Sequence, residues 1–188
     1  VSTESDNFAA AGAALCNAVA ESASDPADAI RLLLPLAGWV PGPIHGGGPL
    51  AVQAQAAQDA IADNLRCAAC AALAAATQTY QPVSYQDALA TRDAVCAALD
   101  AQATRAADAG RDATYQALRS LRTAVALDLA VRGANLAWLV DITTTAPMPS
   151  LAEAWTLYQD TTREPQLVGS ALPAHPLFLP LSFPTLSQ

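Results

Sequence analysis

Four cysteines and two histidines are the side chains that could carry metal, redox or nucleophilic chemistry in this chain. Cys67 and Cys70 form a Cys-x-x-Cys pair, while Cys16 and Cys96 stand alone. A structural zinc site takes four ligands, usually two such pairs or one pair with two histidines. There is no second pair, and His45 and His175 lie far from the first in sequence. A redox Cys-x-x-Cys normally opens a helix that follows a strand. Here alanines flank the pair, so the thiols are expected on the packing face of a helix, as core residues. Ser170, His175 and Asp160 supply the residue types of a hydrolase triad, yet no nucleophile elbow surrounds the serine. Gly46-Gly47-Gly48 lacks both the preceding strand and the following Lys-Ser/Thr of a phosphate loop. The acidic residues are dispersed and form no Asp-x-Asp-x-Asp-Gly calcium loop. No catalytic set, metal site or cofactor is therefore expected.

The charge balance narrows the partner classes. The 188 residues carry 17 acidic and 9 basic side chains, a net charge of -8 and a pI near 4.4. Every basic residue is Arg, the coding bias of a GC-rich gene. Binding DNA or RNA rests on neutralising phosphates with Lys and Arg. The densest basic stretch, Arg105, Arg111, Arg119 and Arg122, is interrupted by Asp108 and Asp112. Direct nucleic-acid contact and binding to an anionic membrane surface are both disfavoured. The longest apolar run, Cys67 to Ala76, is far short of the roughly 20 residues needed to span a bilayer. Phe8 to Ala20 is apolar, but Glu4 and Asp6 stand where a signal peptide would be basic, so a helix of the mature protein is expected.

The elements that must position these residues read as all-α: a bundle of about six helices with a Pro-rich, irregular carboxy-terminal strap. Alanine is the commonest residue and the best helix former. The first helix is expected from Asp6 to Ser22. Asp25-Pro26 caps and opens a second, which Pro35 should kink or end. The loop 39–49 is too rich in Gly and Pro for a regular element. A long helix follows from Leu50 to Tyr80, with Leu50, Ala54, Ala57, Ile61, Leu65, Ala68, Ala72 and Ala76 as its buried stripe and Arg66 on its polar side. Ser84 and Asp87 cap a fourth helix reaching Asp108. A fifth runs from Arg111 to Leu139. Its two apolar stripes, one through Tyr115, Leu118, Leu121, Val125 and Leu129 and one through Ala124, Leu127, Val131, Ala134 and Trp138, imply burial between several neighbours. Ser150 and Glu153 form a capping box for the sixth. Beyond Pro165 the chain is expected to be irregular, and no strand is expected; Val140 to Thr145 alternates but is short. The domain division is 1–164 for the bundle and 165–188 for the tail.

The carboxy-terminal half resembles a known family. Thr114-Tyr-Gln-Ala-Leu-Arg-Ser-Leu-Arg122, then Pro149-Ser-Leu-Ala-Glu-Ala-Trp-Thr-Leu-Tyr-Gln-Asp160, then His175-Pro-Leu-Phe-Leu-Pro180 is similar to the C-terminal helical region of the Mu-like phage and prophage DNA circularisation (circulation) proteins. Leu181-Ser182 replaces the Gly-Gly that follows the family's last Pro. The resemblance implies a non-enzymatic structural component of a phage tail or baseplate, made in the bacterial cytoplasm and carried in the virion. Its implied partners are other tail or baseplate proteins, with self-association open. The family label also implies an alternative, an accessory factor in genome circularisation or injection. Trp39, His175, Phe178, Leu179 and Phe183 are the candidate docking residues, through the apolar strap and the Gly/Pro loop.

Overall fold

The computed structural model describes residues 2–187. The fold is predominantly α-helical, with seven α-helices and one small two-stranded sheet among the described residues. The chain divides into two compact units. The first comprises residues 1–81 and 89–131, the second residues 82–88 and 132–188. These bounds differ from the expected 1–164 and 165–188, because Ala154 of the sixth helix shares a core with Leu179 and Phe183 of the strap.

The first unit holds α1 (Ser2–Glu21), α2 (Pro26–Ala37), α3 (Pro49–Thr79), most of α4 (Tyr85–Asp108) and nearly all of α5 (Asp112–Gly133). Local chemistry sets the ends. Asp25 caps α2 by accepting the Asp28 N–H at 2.8 Å, and Pro26 sits at the first helical position. Pro35 does not end α2, which continues to Ala37. It forfeits the one bond its N–H would make to Arg31 O, but the Gly38 N–H still reaches Leu34 O, so the helix closes beyond it. Pro49 opens α3 in the same way as Pro26 opens α2.

The core of this unit joins Ile30 and Leu33 of α2, Cys70 and Leu73 of α3, Val95 and Leu99 of α4, and Leu118, Val125 and Leu129 of α5. Ala62, Ala69, Ala103 and Ala106 are buried among them, and such small side chains let helix axes approach closely. On α5 the stripe through Leu118, Val125 and Leu129 is buried as expected, but Leu127 and Val131 of the second stripe are exposed. The expected α3 face holds only in its second half, where Ala72 is buried and Ala68 and Ala76 pack against the core. Leu50 and Ile61 are exposed, while Ala62, Arg66, Ala69, Cys70, Leu73 and Thr77 form the buried stripe. Alanine covers every side of α3, so apolar periodicity there favours no single face.

The second unit contains β1 (Leu139–Thr143), α6 (Ser150–Tyr158), a 3-10 turn (Thr161–Arg163), α7 (Glu164–Ala171) and β2 (Ser182–Leu186). The strands pair antiparallel, Leu139 with Leu186 through Thr143 with Ser182. Three expectations are corrected here. α5 stops at Gly133, not at Leu139, and the chain goes on into β1. Pro165 does not begin an irregular tail; it sits in the first turn of α7, where its missing N–H costs nothing. Ser150 and Glu153 form no capping box, since Pro149 is the N-cap and the Ser150 hydroxyl donates to Glu164 at 2.6 Å. By contrast Ser84 accepts the Asp87 N–H at 3.1 Å, and Asp87 accepts from Val83 N–H at 2.8 Å, one residue ahead of a standard box.

The core of the second unit is Ala154, Leu167, Ala171, Leu179 and Phe183, flanked by Ile142, Leu157 and Tyr158. A Cβ added to Gly133 would stand 2.8 Å from Ala88 Cβ, so this contact requires glycine. Two substitutions test the packing by urea unfolding. Leu73→Ala, at a wholly buried position, should cost about 3 kcal/mol. Gly133→Ala should also destabilise, despite alanine's better helix propensity; a gain in stability would refute the close approach at Ala88.

Candidate functional site

In the first unit the densest cluster of polar chemistry surrounds Arg66. This side chain, 8% exposed, projects from the buried face of α3. Its Nε donates to Gln102 Oε1 at 3.1 Å, and its Nη1 to the Trp39 carbonyl at 3.0 Å. Gln102, 0% exposed on α4, turns its Nε2 to Asp63 Oδ1 at 2.8 Å and to Cys67 Sγ at 3.1 Å. Asp63 also receives both Nη groups of Arg111, from the residue just ahead of α5. One carboxylate thus serves Arg111, Gln102 and, at 3.6 Å, Arg66.

Burial works to raise the Asp63 pKa. The Arg111 and Gln102 hydrogen bonds, with the charges of Arg111 and Arg66, outweigh it and hold the carboxyl below its ordinary value. A cavity of about 810 Å³ opens beside the cluster. Its charged lining balances Arg66, Arg105 and Arg111 against Asp59, Asp63 and Asp108, so it presents no net charge to a ligand. The Arg66, Asp63, Gln102 and Arg111 side chains are engaged with one another as a structural network, while Arg105 Nη1, in the same lining, is buried without a hydrogen-bond partner among the described residues.

The thiols do not form a reactive set. Cys16, Cys70 and Cys96 are buried, Cys67 is half-buried, and all four are free. Burial, seconded by the neighbouring Cys67, pushes the Cys70 pKa up to about 12. Burial likewise raises Cys16 and Cys96, and for Cys67 it acts together with the charge of Asp63. A nucleophilic cysteine requires the opposite shift. Among the described residues, no three His, Cys, Asp or Glu side chains converge as a metal site would need.

The candidate docking residues separate into two sets. Trp39 is exposed in the first unit, and its carbonyl is held by Arg66. The Gly/Pro loop around it is tied to α3, through Gln58 Nε2 to Gly42 O at 2.9 Å and Ile44 N–H to Gln55 Oε1 at 2.8 Å. In the second unit Phe178 is 67% exposed, and the exposed His175 ring lies 6.2 Å from it. His175 Nδ1 accepts the Leu177 N–H at 3.1 Å. Leu179 and Phe183 are each 2% exposed in the core of this unit, so they hold the strap down and are withdrawn as docking residues. The strap packs on its own unit: Leu179 N–H donates to Met148 O and Ser150 N–H to Pro176 O.

Sequence reasoning missed other exposed apolar residues. Leu151 and Trp155 lie four apart on α6, and Leu172 and Leu177 flank the loop from α7 to β2. Leu172 is the sharpest case. It is 82% exposed and caps α7 with φ of 44°, a left-handed conformation that favours glycine. No signal in the sequence marks that conformation.

No protein-family model matches the chain, and no curated protein matches it.

Two measurements check this site. Asp63→Asn should cost about 2 kcal/mol at pH 7, because Gln102 and two guanidiniums lose a charged acceptor. A carboxyl with a depressed folded pKa contributes its stability above its unfolded pKa, about 3.9, and loses it as the pH falls through the folded value. The gap between wild type and Asp63→Asn in urea unfolding should therefore close in strong acid. Thiol titration with a disulfide reagent should be slow in the native chain and reach all four cysteines only after denaturation. A fast-reacting Cys67 or Cys70 would revive a redox role.

Proposed function

We propose that this chain is a non-enzymatic structural component of a phage or prophage tail or baseplate, docking neighbouring subunits through its carboxy-terminal unit. The observation that carries the docking reading is the loop from α7 to β2, which presents Leu172, Leu177 and Phe178 to solvent. Leu172 is unfavourable there on two counts, since it buries little apolar surface and sits where glycine would relieve the backbone. A strained residue with no packing role in its own fold fits a role in contact with something else. Leu151 and Trp155 on α6 add a second exposed apolar pair in the same unit. The assignment to a tail or baseplate is supported by the resemblance of residues 114–180 to the circularisation proteins. A virion location and synthesis in a bacterial cytoplasm follow from that resemblance. Among the described residues, no helix is long and apolar enough to cross a membrane. The accessory DNA-handling alternative rests on the family label alone and runs against the net charge of -8.

Leu172→Gly separates docking from folding. Its unfolding free energy should stay level or rise by up to about 1 kcal/mol, because the left-handed position is relieved. Its incorporation into tail particles, measured by mass spectrometry of the purified particles, should fall. A large loss of stability would make Leu172 a folding residue, and particles lacking the wild-type chain would overturn the tail reading. Strong retention of duplex DNA in a low-salt gel shift, lost steeply with added salt, would favour the alternative.

A further inference from the structure

The two-stranded sheet has two outer edges, and the structure treats them differently. Thr144 N–H donates to Leu181 O at 2.7 Å, and Ser187 N–H to Trp138 O at 2.7 Å. Both bonds continue the register of the ladder at its two ends. In an antiparallel pair, hydrogen-bonded and non-hydrogen-bonded positions alternate. The even-numbered residues of β1 therefore bond to β2, and the backbone groups of Leu139, Asp141 and Thr143 point away from it. Gln86 confirms this parity from outside. Its Oε1 accepts the Leu139 N–H at 2.8 Å, and its Nε2 donates to Leu139 O at 3.2 Å. One side-chain amide thus satisfies Leu139 as a neighbouring strand would.

The outer edge of β2 is blunted at Pro184 and Leu186. Pro184 is paired with Asp141, so its outward position offers no N–H, and Leu186 O accepts the Tyr158 hydroxyl at 3.2 Å. On β1, among the described residues, the outward N–H and C=O groups of Asp141 and Thr143 have no partner. Both residues are exposed. The carboxylate of Asp141 has no partner there either. Leu139, Asp141 and Thr143 share one face of the strand. On that face a cavity of about 500 Å³ opens, with Val83, Leu139, Pro184 and Leu186 as its apolar lining and Ser84, Asp87, Gln166 and Ser170 as its polar lining.

We propose that the β1 edge at Asp141 and Thr143 receives an extended strand from a partner protein, with a basic residue opposite Asp141 and an apolar neighbour on the same face seated toward Leu139. Main-chain hydrogen bonds supply the attachment, and the carboxylate and cavity supply the selection. The occupant is basic because Asp141 is the charged group on the open edge, and opposite charges across a strand pair attract. A second copy of this chain paired about Asp141 would set two carboxylates face to face. Pairing stops at Leu139, whose groups Gln86 already holds. The inference rests on the docking reading, yet the two fail separately, because the Leu172 loop lies outside this edge.

The test uses the full chain and two nine-residue peptides blocked at both ends. One has lysine at its centre, valine two residues to either side and threonine elsewhere; the other has glutamate at its centre. Binding is followed by fluorescence anisotropy, and amide exchange is read residue by residue by NMR. The lysine peptide should bind and slow exchange at Asp141 and Thr143 about tenfold or more. The glutamate peptide should bind about fivefold more weakly. Asp141→Asn should keep the binding and lose the preference. Thr143→Pro should abolish binding, because it removes an outward N–H and no ladder bond, and the Val140 and Ile142 amides should stay slow to exchange. If Thr143→Pro unfolds the sheet, the wild-type and Asp141→Asn results decide alone. Three outcomes overturn the proposal: no protection at Asp141 and Thr143 with either peptide, equal binding of both, or concentration-dependent protection in the chain alone, which would make the occupant a second copy.

Discussion

A guanidinium shut away from water must have its donors and its charge met on the spot, and the first unit is arranged around that requirement at Arg66. The side chain leaves α3, engages Gln102 on α4, holds the Trp39 carbonyl beyond α2 and shares Asp63 with Arg111 at the start of α5. Four separate stretches of chain therefore converge on one polar node. Buried alanines make this possible by letting the helices come near enough for Gln102 to reach both Arg66 and Asp63. Leucines in their place would supply more apolar area but hold the helices farther apart. A network of this kind stabilises only when it is complete, because each member left alone would carry the desolvation cost of a buried polar group. It also fixes the register of the helices, which an alanine surface by itself specifies weakly.

How far the sequence foretold this depends on how local each signal is. The α2 cap at Asp25-Pro26 and the Ser84 cap were legible because the chemistry lies within a few residues. The helical class was legible from composition. The buried face of α3 was not, because alanine surrounds that helix and Leu73, its one large buried apolar side chain, shares the inner face with an arginine. Its partners Trp39 and Gln102 are remote in sequence, so nothing near Arg66 announced that it would be satisfied. β1 is five residues long and is defined by pairing with β2 at the far end of the chain, a relation no local pattern encodes. Pro165 was read as a breaker when its place in the first helical turn makes it a starter.

The docking candidates show the same limit at the scale of single residues. Phe178 and Leu179 are adjacent and both apolar, yet one is 67% exposed and the other 2%. Composition identified the strap as something that must lie against protein. It could not assign alternate residues to the inside and outside, nor show that the inner ones would meet Leu167 and Ala171 of α7. The first unit gathers Arg66, Asp63 and Arg111 into one internal network, and both units leave large apolar side chains at the surface, Val40 and Leu50 in the first, Leu172 and Phe178 in the second.

The assignment of Pro82–Ala88 to the second unit has a genetic consequence. Neither unit is a single uninterrupted run of codons. A gene broken after Val131 would yield one product with Pro82–Ala88 stranded in its interior and another lacking Gln86, the amide that occupies Leu139. Recombination could therefore exchange the second unit between genes only by at least three crossovers, or by carrying the intervening helical hairpin along with it.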